Sequence, residues 1–123
     1  MIAYLRCMST RNETGKHGES LAVAYFEQRN YTTLHRNWHK NLEVDLITTR
    51  NGMLHFIEVK TVTSLLFGHP EERVSKKKIK NLINAAEEFL YQFPEWKKIQ
   101  FDVLSITLLQ EGTENFLIED IYE

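Results

Sequence analysis

Within twenty positions stand three carboxylates of the type that holds a hard divalent cation, Glu43, Asp45 and Glu58, and a lysine beside them, Lys60. They lie in NLEVDLITTRNGMLHFIEVK, residues 41–60, as two strand-like runs around Asn51-Gly52. Asn-Gly between alternating apolar runs is a strong hairpin signal. Side chains alternate along a strand. Leu42, Val44 and Leu46 therefore share one face, and Glu43, Asp45 and Ile47 the other. In the second run Ile57 and Val59 share one face; Leu54, Phe56, Glu58 and Lys60 share the opposite one. That face is apolar until its last two members, so the strand reads as buried on both sides with charge at one end. Half-buried carboxylates are costly unless paired or bound to metal. If the polar faces of the hairpin coincide, Asp45 and Glu58 converge, and their repulsion raises their pKa values unless a cation sits between them. The alternative is a solvent face on which Glu58 and Lys60 form an exposed ion pair of small consequence.

Glu19 joins this group from a distance. It lies three residues before Ala22 and seven before Phe26, on the apolar stripe of a predicted helix, and so faces the sheet. A glutamate there also suits the helix dipole. The second group of interest is cationic. Arg73, Lys76, Lys77, Lys78 and Lys80 crowd the first turns of a second predicted helix. Cations there oppose the dipole. A phosphate partner relieves that cost, because helix N-termini bind anions; a solvated lysine face is the plain alternative. Lys78, four before Leu82, is the one spaced to point inward. His17, Arg36, His39 and Lys40 are candidates for a second basic edge. The histidines lack H-E-x-x-H spacing. Trp38 and Trp96 read as core or rim rather than as base-stacking platforms.

The elements that must position these residues follow from periodicity and punctuation. Ala22, Tyr25, Phe26 and the stem of Arg29 predict a helix over 15–29. Strands are predicted over 31–38, 42–49 and 53–61, then a loop at FGHPEER. Ser75 is the expected N-cap of a helix running to about Phe93, with Ile79, Leu82, Ile83, Ala86, Leu90 and Phe93 as its stripe and Pro94 as its stop. IQFDVLSITLL and NFLIEDIY complete the strands. The order α-β-β-β-α-β-β predicts an α/β fold, a mixed central sheet flanked by helices. Length predicts one domain over 1–123, with 1–14 a peripheral N-terminal segment and Met8 a candidate alternative start. The net charge of −2 argues against a general polyanion binder, so a nucleic-acid partner requires local clustering of cations. Cys7 is the only cysteine, which excludes a disulfide framework and a cysteine-based zinc site and fits a reducing compartment. No apolar run approaches the roughly 20 residues of a membrane span, and MIAYLRCM lacks the charged start of a signal peptide. The expected location is the cytoplasm.

Several stretches together carry a resemblance. GKHGES with Ala22 resembles G-x-x-G-E-x-x-A, and RNYTTLHRNWH is similar to G-Y-x-I-L-x-x-N-x-R. EVDLI resembles E-I-D-L-I, FIEVK resembles F-V-E-V-K, VSKKK resembles V-x-x-x-K before a helix, and FDV resembles R-F-D-V. In this order and spacing, over residues 15 to about 106, they resemble the YraN-type uncharacterised family. That family is grouped with the Holliday-junction-resolvase-like branch of the PD-(D/E)xK nuclease superfamily. The resemblance implies a restriction-endonuclease-like α-β-β-β-α-β core, with Asp45, Glu58 and Lys60 as the D…E-x-K signature and Glu19 as the helix acid. Asn30 stands where glycine is usual; His39, Val62 and Gln100 stand where arginine is usual. The lost arginines bear on phosphate contact more than on the metal site.

What the resemblance implies chemically is hydrolysis of DNA phosphodiester bonds with Mg²⁺ or Mn²⁺, on structured or junction DNA. Asp45 and Glu58 would bind the ion directly, the Val59 carbonyl would add a ligand, and Glu19 would bind directly or through water. Glu43 lies one strand repeat, about 6.6 Å, from Asp45. It is a candidate ligand through water or to a second ion, or else a solvent-facing strand end. Lys60 would orient the attacking water or stabilise developing negative charge. Lys76, Lys77, Lys78, Lys80, Arg36 and His39 are the expected nucleic-acid contacts. DNA is the expected partner, no membrane is expected, and a homodimer is left open. The rival readings are a non-catalytic nucleic-acid-binding or scaffold protein on the same fold, and an α/β protein-interaction domain.

Overall fold

The computed structural model describes residues 11–38, 44–63 and 76–121. Its elements are α1 (Arg11–Glu27), β1 (Thr32–Trp38), β2 (Val44–Arg50), β3 (Met53–Val62), α2 (Lys76–Gln92), β4 (Ile99–Leu109) and β5 (Gly112–Ile118). They form a five-stranded sheet in the order β1-β2-β3-β4-β5. Neighbours pair antiparallel except β3 and β4, which are parallel. Parallel neighbours need a crossover, and α2 lies on it. The β2–β3 connection is the expected two-residue turn: Arg50 pairs with Met53, and Asn51 and Gly52 have φ of 54° and 78°. A type I′ hairpin turn needs both central residues at positive φ, which Asn-Gly supplies.

Two apolar clusters fix the layers. Beneath α2, Val44, Ile47, Leu54, Phe56 and Phe101 pack with Leu82, Ala85, Ala86 and Phe89. Beneath α1, Leu46, Ile57, Leu104, Ile106 and Leu108 pack with Ala22, Phe26 and Tyr31. The sheet thus lies between two helices, a mixed α/β arrangement compatible with a restriction-endonuclease-like core. Its inner strands are covered on both sides, which is why β2, β3 and β4 are apolar on both faces. No helix among the described residues is long and apolar enough to cross a membrane.

Four details differ from the expected elements. Helix α1 begins at Arg11, four residues before the expected start, and ends at Glu27. It closes in a Schellman arrangement: the Tyr31 amide donates to the Phe26 carbonyl and the Asn30 amide to the Glu27 carbonyl. Asn30, with φ of 69°, occupies the left-handed position there. It takes the conformation that glycine would, so this departure from the family pattern leaves the turn intact. The buried face of α2 centres on Ala85 and Phe89, one step around from the predicted stripe; Ile83, Leu90 and Phe93 are only partly buried beside it. Strand β5 starts earlier and stops earlier than expected, because Gly112 to Asn115 pair with β4 despite their polarity. As an edge strand β5 has exposed polar positions that carry no apolar signal. Residues 1–10, His39, Lys40, Leu42, Glu43, Arg73 and Ser75 lie outside the described residues.

Candidate functional site

The β2–β3 register decides where the acids meet. Pairing runs from Arg50–Met53 to Leu46–Ile57. Beyond that pair the alternation expected of β2, with Val44 and Leu46 on one face, breaks: Val44 packs with Ile47 and Phe56 beneath α2, whereas Leu46 packs beneath α1. Here a side chain takes over from the backbone: Asp45 Oδ2 accepts the Val59 amide at 2.8 Å. Asp45 is half-buried. Burial pushes its carboxyl up to about 8, and the facing Glu58 carboxylate and the charge of Glu19 push the same way. The Val59 amide favours the charged form but is outweighed. A buried acid held neutral beside a second carboxylate forms a site that a cation would relieve.

Glu58 is held by two lysines. Lys60 Nζ and Lys78 Nζ each lie 3.4 Å from Glu58 Oε2. Lys60 comes from the same strand, Lys78 from the first turn of α2. Burial, and then the neighbouring Lys78, hold the Lys60 ammonium below the ordinary lysine range. Contact with Lys60 and with the Glu58 carboxylate holds Lys78 above it. The expected Asp45, Glu58 and Lys60 group is therefore brought together. Lys78 points inward as its spacing before Leu82 predicts.

Glu19 stands apart from the pair. Its Oε1 accepts a hydrogen bond from Asn37 Nδ2 at 2.9 Å, which ties α1 to the end of β1. Its charge reaches Asp45, but among the described residues no three Asp, Glu, His or Cys side chains are grouped closely enough to hold a metal ion. The expected single cluster of Asp45, Glu58 and Glu19 is thus a pair with a third acid beside it. Asp45 and Glu58 remain the donors suited to a hard cation, since Mg²⁺ binds through one or two carboxylates and keeps waters and phosphate oxygens in its other positions. At Val59 it is the amide that is tied to Asp45.

The basic candidates divide in two. Lys76, Lys77, Lys78 and Lys80 are exposed on the first turns of α2, where no acidic residue accompanies them. Arg36 is exposed on β1, with Nη2 3.4 Å from Ser20 Oγ on α1. Trp38 packs edge-on against Phe89, and Trp96 packs half-buried against the same cluster, so both are core and rim residues.

Sequence reading missed two participants. Asn37 orients Glu19 from a left-handed conformation, φ 50°, which nothing in the sequence announces. The second is a buried pair on the α1 side: His55 Nδ1 lies 2.8 Å from Asp102 Oδ2. Asp102 Oδ1 also accepts Gln100 Nε2 and the Asp120 amide, each at 2.9 Å. Gln100, where the family pattern has arginine, serves this internal network. FDV is therefore a structural motif here, remote in role from the acids.

Residues 18–106 match the uncharacterised protein family UPF0102. The chain is 40% identical over 117 residues to a UPF0102 protein of Bacteroides thetaiotaomicron, covering 94% of each chain. It is 40% identical over 119 residues to one of Flavobacterium johnsoniae, covering 93% of this chain and 94% of the relative. It is 42% identical over 102 residues to one of Syntrophomonas wolfei, covering 81% and 88%.

Proposed function

The chain belongs to the uncharacterised protein family UPF0102, and with that membership as premise we propose that it hydrolyses DNA phosphodiester bonds using Mg²⁺ or Mn²⁺, in the cytoplasm. One observation carries the reading: Asp45, held on the Val59 amide at 2.8 Å and pushed up to about 8 by burial and then by Glu58, lies beside that acid, whose carboxylate also contacts Lys60. A structural ion pair needs one acid and one base. A second acid, kept protonated at neutral pH by burial and then by the first, is costly in a purely structural role and useful for binding a cation. A bound divalent ion would lower the pKa of a coordinated water and neutralise charge on the phosphate. Asp45 and Glu58 would hold that ion. Lys60, with its ammonium below the ordinary range, can take or give a proton beside the reacting phosphate. Lys76, Lys77 and Lys80 meet the backbone phosphates. Structured or junction DNA is the substrate that the family resemblance suggests.

A second reading, a non-catalytic nucleic-acid-binding protein on the same fold, draws on the hydrogen bond that holds Glu19 on Asn37, outside the acid pair. Nuclease assays over linear, flapped and four-way DNA, with Mg²⁺ and Mn²⁺, separate the two. Lys60→Ala should lower cleavage by about 10²-fold or more while changing DNA affinity little, because a group acting in the transition state affects rate more than ground-state binding. Glu58→Gln should abolish metal-dependent cleavage. A wild type that cleaves none of these substrates, with both variants binding DNA as it does, would transfer the assignment to the binding protein.

A further inference from the structure

Glu58 contacts two lysines, and only Lys60 belongs to the D…E-x-K signature. Lys78 arrives from α2, twenty residues along the chain, and its ammonium lies 3.4 Å from the same Oε2 that Lys60 contacts. The two cations are not equivalent. The Lys60 side chain is 18% exposed and stands on a central strand, whereas Lys78 is 49% exposed on the first turn of a helix. A half-exposed lysine on a flexible stem leaves a carboxylate at little cost, since such pairs are individually weak. A cation enclosed by its own strand does not.

We infer that Lys78 is a resident counter-cation: it holds the Glu58 carboxylate that a divalent ion would take, and the ion displaces it toward phosphate. The inference rests on the metal reading above. Lys60 is confined by its strand, so Lys78 is the one that yields. Once displaced it joins Lys76, Lys77 and Lys80 at the start of α2 and adds a charge to the face that would meet nucleic acid. Loading of the ion and contact with phosphate are then coupled through one side chain, and the coupling is reciprocal. Lys78 is on this account a positioning residue that regulates access to Glu58.

The test is calorimetric titration of the full chain with Mn²⁺ at fixed ionic strength, comparing wild type with Lys78→Met, Lys78→Gln and Lys76→Met. Both Lys78 variants should bind Mn²⁺ about three- to tenfold more tightly, the effect of removing a competing unit charge at a half-exposed site. A residue with only a structural role would give unchanged or weaker binding. Lys76→Met removes the same charge from the same turn and should stay within about twofold of wild type, as a change in distant charge alone would. If wild type binds Mn²⁺ and the Lys78 variants bind no tighter, or if Lys76→Met tightens equally, the counter-cation role is overturned while the metal site stands. If neither wild type nor any variant binds Mn²⁺, the metal reading fails and this inference fails with it.

Discussion

Asp45 has the most consequential chemistry of any single residue here, because its folded environment prefers it neutral. An acid raised from its ordinary value of 3.8 to about 8 contributes stability that is complete below the ordinary value. That contribution declines as pH rises and is lost as pH passes about 8, since the folded state binds the proton more tightly than the unfolded chain. The metal-free protein should therefore lose stability between pH 4 and 9 through this residue. Asp45→Asn keeps an acceptor for the Val59 amide and carries no charge. It should be more stable than wild type at pH 9, by about 1–3 kcal/mol, and nearly equal at pH 4, as read by urea unfolding across that range. Saturating Mg²⁺ should flatten the wild-type curve and leave the variant unchanged; a variant that follows the wild-type curve at every pH would contradict this account. That Asp45 would come near β3 was legible in the sequence because Asn51-Gly52 fixes the hairpin register as far as Leu46–Ile57; the break in alternation between Val44 and Leu46 was not. The place of Glu19 was only half legible. Helical spacing put it toward the sheet, but its partner Asn37 depends on a backbone conformation with no sequence signature.

At the scale of elements, the site depends on how closely α1 lies on β3. Gly18 is buried in α1, and a Cβ there would overlap Thr61 Oγ1 and stand 2.9 Å from Thr61 Cβ. Alanine normally stabilises a helix interior relative to glycine by about 1 kcal/mol. Here the overlap reverses the sign, and Gly18→Ala should destabilise by about 1–3 kcal/mol. Because Glu19 is the next residue, it should also weaken Mn²⁺ binding. Adding Thr61→Ala removes the overlapping oxygen and should recover part of both effects, measured by thermal unfolding and by titration. The family-like GKHGES is thus read physically: its second glycine permits the contact that brings Glu19 to the acid end of the sheet. A second element-scale contact was invisible to pattern reading. His55 and Asp102 lie 47 residues apart, with no local periodicity to link them. Their network joins β3 and β4, and through the Asp120 amide it fastens the chain after β5. Asp102→Ala would leave buried His55 and Gln100 without their acceptor and should cost about 3–5 kcal/mol in urea unfolding, with Mn²⁺ binding per folded molecule unchanged. The edge of the sheet shows the converse limit. β5 was foreseen from NFLI, but its polar first half pairs only because β4 is there to receive it.

At the scale of the whole molecule, a net charge of −2 gives no general attraction to DNA, so any binding must come from how charge is distributed. The distribution is polarised. Lys76, Lys77, Lys78 and Lys80 stand together at the start of α2, with no acid in that turn, and Lys78 reaches from it to Glu58. This arrangement is unfavourable to the free helix, since its N-terminus carries the positive end of the dipole. Stability and binding therefore make opposite demands on the same residues. Lys76→Ala together with Lys77→Ala, both exposed, should leave the fold intact and raise the unfolding free energy by a few tenths to about 1 kcal/mol. The same double variant should bind duplex DNA more weakly. Its log K against log salt should be shallower by up to about 1.8, at about 0.9 for each phosphate that is no longer neutralised. Fluorescence anisotropy on a labelled duplex over a series of salt concentrations, paired with thermal unfolding, reads both quantities from one preparation. Greater stability with a shallower slope identifies a face held at a cost for its ligand. Greater stability with an unchanged slope identifies lysines that are merely solvated, and would move any phosphate contact to Arg36 and the β1 edge.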